Sequence, residues 1–316
     1  MAFLLTAGAP SQLISQNNQA AHLVEVGTHK MFLNCTGKAS GPTVVLEAGT
    51  GDTAEVWSAV QTEVGEFASV CSYDRLGLGR SDKLAVAQTA DEIVAGLHGL
   101  LHAASIREPY VLVAHSIGGI YTRKYADLYP AEVAGVVLVD SAHEEQFTRV
   151  AQISPEWAKR ISSQFPVDEQ RSQGFLPGNE RLAWHFDKPL VVIEHGKMPP
   201  PAASDPMAKQ SEAVFHVSQK DLANRSKHGQ LREAKTSGHY IQRDQPELVT
   251  QSIRDVIRES ATLITAKPRG DEPHLTSRRQ TGSYPASTAG LVLSSRLVGS
   301  AQQLLRTRIS QPWLTR

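Results

Sequence analysis

The amino-acid sequence predicts an α/β fold, a mostly parallel central sheet with helices on both faces. Strand-like apolar runs alternate with helix-like segments from about Ala21 to Ala266, the order that builds parallel sheets. The clearest runs are Pro42–Glu47, Tyr110–Ala114, Val136–Val139 and Pro189–Ile193, short and rich in β-branched residues. Their nearly continuous apolar character fits strands covered on both faces rather than one. Each is followed by a turn carrying polar groups. In open α/β sheets ligands bind outside the carboxyl ends of the strands, so chemistry is expected in those turns.

A chain of 316 residues can build one large domain with some decoration. With 41% hydrophobic and 20% charged residues it falls among globular proteins, not disordered or fibrous ones. The 32 basic and 32 acidic residues cancel, so no global field draws the chain to nucleic acid or anionic lipid, and a small-molecule partner is expected. No apolar run reaches the roughly 18 residues of a membrane span. The opening Met1-Ala2-Phe3-Leu4-Leu5 lacks the basic stretch of a signal peptide, and a cytoplasmic location is expected. Cys35 and Cys71 lie in strand-like stretches and read as separate buried thiols.

Three regions frame the core. Residues 1–20 read as an N-terminal extension and residues 21–266 as the α/β domain. Within the domain, residues 141–188 lose the strand pattern and carry Trp157, Phe165, Phe175 and Trp184 among polar residues. That texture reads as a helical insertion, expected to cap the site. Residues 267–316 begin with the linker-like Pro268–Pro273 and from His274 onward contain arginine but no acid. This tail reads as a low-order basic extension, with a membrane-surface or partner contact through its leucines as the alternative.

The turn after the second clear strand holds Ala114-His115-Ser116-Ile117-Gly118-Gly119 and leads into a helix-like segment. A serine on a sharp strand-to-helix turn, between small neighbours, is a nucleophile elbow. Its place at a helix N-terminus lets the N–H of Ile117 face a developing oxyanion. The first clear strand ends in Glu47-Ala48-Gly49-Thr50-Gly51, a glycine loop able to turn the Thr50 and Gly51 N–H groups inward. Downstream, Ser237-Gly238-His239-Tyr240 puts His239 in a loop, in the chain order serine, acid, histidine that such elbows use.

Two further segments match a known pattern: Val70-Cys71-Ser72-Tyr73-Asp74-Arg75-Leu76-Gly77-Leu78-Gly79-Arg80-Ser81-Asp82 and Val137-Leu138-Val139-Asp140-Ser141. Together with the elbow and His239, the run from about His22 to Glu259 resembles the α/β-hydrolase superfamily, in the branch of small bacterial carboxylesterases. The resemblance implies Ser116 as nucleophile, His239 as general base, and Ile117, Thr50 and Gly51 around the oxyanion. It also implies that Asp74, Arg75 and Asp82 hold loops together.

The triad acid is left open. The family usually places it after the strand that here is Pro189–Ile193, yet the loop Glu194-His195-Gly196-Lys197 has no aspartate there. Asp140 at the end of the preceding strand is the first candidate, Asp205 the alternative and Glu194 a third. The resemblance implies no metal or organic cofactor, and it implies a small carboxylic ester or related acyl substrate. An acyltransferase or perhydrolase with the same triad, and a silent ligand-binding relative, are the alternative readings.

Overall fold

The alternating apolar runs become the parallel centre of one sheet. A computed structural model of the protein describes residues 21–37, 41–86, 88–163, 182, 186–198 and 205–266. The strands are β1 (His22–Val26), β2 (His29–Thr36), β3 (Thr43–Glu47), β4 (Val70–Tyr73), β5 (Tyr110–His115), β6 (Val133–Val139), β7 (Leu190–His195) and β8 (Gly229–Ala234). They lie in the order β1-β2-β4-β3-β5-β6-β7-β8. Strand β2 pairs antiparallel with β1 and β4, and every pairing from β4 to β8 is parallel. Each residue of β3, β4, β5 and β6 and the first four of β7 are buried, which is why the runs of β3, β5, β6 and β7 are nearly continuously apolar.

Seven α-helices matter for the site: α1 (Ser58–Gly65), α2 (Ala90–Ala103), α3 (Gly118–Leu128), α4 (Gln146–Ile153), α5 (Pro155–Ser162), α6 (Pro206–Ala223) and α7 (Pro246–Ala266). The two-residue period of the strands sends their side chains to two cores. Val45, Leu112, Leu138 and Val192 pack with Leu97 and Leu101 of α2 and with Ile120 and Tyr125 of α3. The intervening Val44, Val113, Val137 and Ile193 pack with Val60 and Val64 of α1 and with Val249, Ile253 and Val256 of α7. Helix α2 starts where Thr89 and Glu92 form a capping box, satisfying backbone donors that a helix end otherwise leaves unpaired.

Helices α4 and α5 fall inside the segment read as a cap, and a buried ionic cluster ties its base to the core. The Arg123 guanidinium donates to the Ala142 carbonyl at 3.1 Å and to Glu144 at 3.1 Å. Arg225 reaches the same Glu144 at 2.6 Å. Removing one partner of such a buried set strands the others, at a cost of about 3–5 kcal/mol. Trp157 belongs to α5, while Phe165, Phe175 and Trp184, like residues 1–20 and 267–316, lie outside the described residues. No helix among the described residues is long and apolar enough to cross a membrane.

The cysteines correct the expectation of separate thiols. Cys35 and Cys71 face each other in the register of β2 and β4 and are joined as a disulfide, with Cα atoms 4.1 Å apart. The reason is topological: β4 inserts beside β2, ahead of β3, and strand order is absent from a linear pattern. Disulfides persist in oxidising compartments, a setting other than the cytoplasm expected from the opening residues.

Helix α3 lies so close to the turn after β6 that a Cβ on Gly119 would stand 1.8 Å from Ser141 Oγ. Gly119→Ala is therefore expected to lower unfolding stability by about 1–3 kcal/mol through overpacking. Gly27 has φ +60° but open space around its Cβ direction. Gly27→Asn, which tolerates that backbone, is expected to cost far less. Urea unfolding of both variants checks this, and equal losses would contradict the close-approach argument.

Candidate active site

Strand β5 hands the chain to α3 through two residues, Ser116 and Ile117, with Ser116 at φ 53°. A side chain pays conformational energy in this left-handed region, and it persists only where the surroundings over-determine it. Here the turns after β5 and β6 and strand β7 hold one another by backbone hydrogen bonds. Ser116 N–H donates to the Val139 carbonyl at 3.1 Å, Ala142 N–H to the Ser116 carbonyl at 2.9 Å, and Asp140 N–H to the Ile193 carbonyl at 2.7 Å. The elbow also presses against the β3 turn, where a Cβ on Gly118 would lie 2.7 Å from the Ala48 carbonyl oxygen.

The loop after β8 brings His239 to the serine. Its Nε2 lies 3.2 Å from Ser116 Oγ and its Nδ1 lies 2.6 Å from Asp140 Oδ2. Asp140 is fully buried, whereas the His239 side chain is about half exposed, 48%. The loop is fixed by Ser237 and Gly238 donating to Asp244, and by Lys197 N–H donating to the Ser237 carbonyl. His115 braces the ring from behind: their centroids are 4.5 Å apart, and His115 Nε2 donates to the His239 carbonyl at 2.9 Å. Burial first, and the nearby His239 second, pull His115 down to about 3, so this second imidazole beside Ser116 is neutral.

The other acid candidates are elsewhere. Asp205 caps the N-terminus of α6, accepting from Met207 N–H at 2.8 Å, and Glu194 accepts from His216 Nδ1 at 2.8 Å. The structure thus gathers Ser116, His239 and Asp140 and leaves Asp205 and Glu194 outside the line.

A residue the sequence reading passed over completes the setting of Asp140. His195, the last residue of β7, occupies the spot where an aspartate was expected. Its backbone N–H and Nδ1 reach Asp140 Oδ1 at 2.9 and 2.7 Å, and its Nε2 reaches Glu212 Oε1 at 2.6 Å. An imidazole with a carboxylate on each nitrogen is held as the cation. Burial opposes that charge, but the hydrogen bonds to Asp140 and Glu212 outweigh it and raise His195 to about 10. Burial likewise works to raise Asp140, and the hydrogen bonds and charges of His195 and His239 overcome it and hold the carboxyl well below the usual range. The missing aspartate was the only signal in the sequence that this loop is unusual.

The loop after β3 is held from below by a buried ion pair between Arg75 and Glu47, which also accepts from the Tyr73 hydroxyl. Arg75 further donates to the carbonyls of Ala48 and Gly49 at 2.6 and 2.5 Å. Because a trans peptide sets C=O and N–H on opposite sides, a Gly49 carbonyl aimed at Arg75 turns the Thr50 N–H away from it. Gly51, at φ 67°, continues the turn. Asp74 accepts from Ala54 N–H and Arg80 N–H at 2.8 and 2.9 Å, and Asp82 from Lys30 N–H at 2.7 Å. These contacts join loops and leave Asp74 and Asp82 away from Ser116.

Fold and site geometry together define a class. The profile of the α/β hydrolase fold family matches residues 42–231, and the chain belongs to that family. The YqjL protein of Bacillus subtilis is 30% identical over 220 residues, covering 69% of this chain and 84% of that one. An AB hydrolase superfamily protein of Gibberella zeae is 30% identical over 142 residues, and the match spans 42% of each chain. Among solved structures, a thermophilic esterase from Thermogutta terrifontis superposes with a TM-score of 0.53 at 20% identity, covering 77% of this chain and 99% of that one. The enol-lactonase from Burkholderia xenovorans superposes with 0.54 at 14% identity, covering 75% and 100%.

His195 gives the site a pH signature. Its folded value lies above that of an unfolded histidine, about 6.5, so its contribution to stability is complete below that pH and lost as pH rises toward 10. Urea midpoints measured from pH 6 to pH 10 are expected to fall less in His195→Gln than in the parent chain. Identical slopes would show that His195 is not held as the cation.

Proposed function

We propose that the chain is a serine hydrolase that cleaves a small carboxylic ester, or a related acyl bond, through an acyl-enzyme on Ser116. The single observation that carries this reading is the line Ser116 Oγ, His239 Nε2, His239 Nδ1, Asp140 Oδ2, with gaps of 3.2 and 2.6 Å. Those separations suit proton transfer from the hydroxyl to the imidazole. Because Asp140 accepts from Nδ1–H, the free lone pair of His239 sits on Nε2, facing the serine.

In this reading Ser116 Oγ attacks the acyl carbon as its proton passes to His239 Nε2. The imidazolium is stabilised by Asp140, which His195 keeps ionised. The oxyanion is received by the N–H groups of Ile117 and Thr50, with Gly51 shaping the loop. Collapse of the tetrahedral intermediate returns the proton to the departing alkoxide, and water, deprotonated by the same His239, then releases the acid. Esterase and lactonase relatives of the fold support the acyl-transfer class.

Ser116→Ala is expected to reduce hydrolysis of p-nitrophenyl esters about 10³-fold or more without unfolding the chain, since the triad acts as a unit. A fluorophosphonate probe should label the parent at Ser116 and not the variant. Full turnover in purified Ser116→Ala would end this reading.

The acid has its own test. Asp140→Asn should lower turnover by orders of magnitude, because the amide favours the wrong His239 tautomer and leaves the imidazolium without a counter-charge. Asp205→Asn should leave turnover nearly unchanged, its carboxylate being a helix cap. The reverse ranking of the two variants would move the acid to Asp205.

A further inference from the structure

At the opposite end of the sheet from Ser116, two helical histidines and one glutamate converge. His98 and His102 stand four residues apart on α2, on one face of the helix. Glu132 comes from the short 3-10 turn Pro130–Glu132 that leads into β6. His98 Nε2 and His102 Nε2 lie 3.2 and 3.4 Å from the same atom, Glu132 Oε1, and the three donor atoms all fall within 4.8 Å of one another.

The geometry points to a divalent transition-metal site, best suited to Zn²⁺, in which His98 Nε2, His102 Nε2 and Glu132 Oε1 are the protein ligands. Zinc holds nitrogen and carboxylate ligands at about 2.0–2.2 Å, so in a tetrahedron the donor atoms stand roughly 3.3–3.5 Å apart. The two histidine-to-glutamate separations match that edge. Imidazole with carboxylate selects zinc and its neighbours over Ca²⁺ and Mg²⁺, which require all-oxygen shells.

The surroundings orient the ligands as a metal site requires. The Tyr125 hydroxyl donates to the other oxygen of Glu132 at 2.6 Å, leaving Oε1 for the histidines. The His98 ring is stacked on Tyr129, with centroids 3.9 Å apart and planes 11° from parallel. Glu132 is largely buried, at 15%, whereas the His102 side chain is 51% exposed. The His102 side of the cluster therefore faces solvent. Bound there, the ion would clamp α2 to the start of β6, 30 residues further along from His102. This site shares no residue with the triad and stands whether or not the ester reading does. The sequence carried its trace as His98-Gly99-Leu100-Leu101-His102, a spacing that only Glu132 turns into a site.

The test is equilibrium dialysis of the untagged full chain against Zn²⁺ near pH 7.5, with thermal unfolding in parallel. One tight equivalent is expected, together with a zinc-dependent rise in Tm. His102→Ala, at a half-exposed position, and Glu132→Gln should each weaken binding at least about 10²-fold and abolish the Tm shift. Because the chain has 12 histidines, a His195→Gln/His239→Ala double variant serves as the control and should keep the equivalent. Failure of the parent to bind zinc at micromolar free metal would overturn the proposal. So would an equivalent that survives both His102→Ala and Glu132→Gln, or one lost only in the double variant.

Discussion

The backbone hydrogen bonds joining the turns after β5 and β6 to each other and to strand β7 are the constraint on which the rest of the site depends. Ser116 bonds back to Val139, Asp140 to Ile193, and Ala142 to Ser116. Both turns hold non-glycine residues in left-handed backbone, Ser116 at φ 53° and Asp140 at φ 47°. Such conformations are costly in isolation. They are held because the turns are anchored to the buried stretches of β6 and β7, and the parallel register sets His115, Val139 and Ile193 at one level. The serine and the carboxylate are thus placed by the sheet itself, and only His239 arrives on a loop.

Electrostatics follow from that placement. A carboxylate as deeply buried as Asp140 requires compensation, and it receives two imidazoles, one on each side. His239 lies on the Ser116 side and is half exposed. His195, fixed between Asp140 and Glu212, supplies a positive charge at neutral pH on the other. The Arg75 and Glu47 pair plays the corresponding part under the neighbouring loop, where a buried cation holds two carbonyls down and thereby turns an N–H up. Both devices use a buried charge to set direction, and neither side chain touches Ser116.

The disulfide shows what a pattern of residues leaves out. Cys35 and Cys71 each sit in a strand, and nothing in the spacing of 36 residues says that the strands are neighbours. Antiparallel pairing of β2 with β4 sets them face to face, and the expectation of separate buried thiols gives way for that reason alone.

Local chemistry made much of this protein legible from its sequence. The unbroken apolar runs specified the central strands because burial on both faces demands them. The small residues around Ser116 specified the elbow because only they allow α3 to approach the β3 turn. His239 was legible as a loop histidine after a glycine. The tertiary structure decided what depends on strand order and on side chains far apart in the chain. It set Asp140 rather than Asp205 against His239, because β6 and not the start of α6 ends beside the β8 loop. It put His195 where an aspartate was expected, paired the two cysteines, and gathered His98, His102 and Glu132. Each of these is a long-range contact, and long-range contacts follow from how helices and strands pack, which no local run of residues encodes.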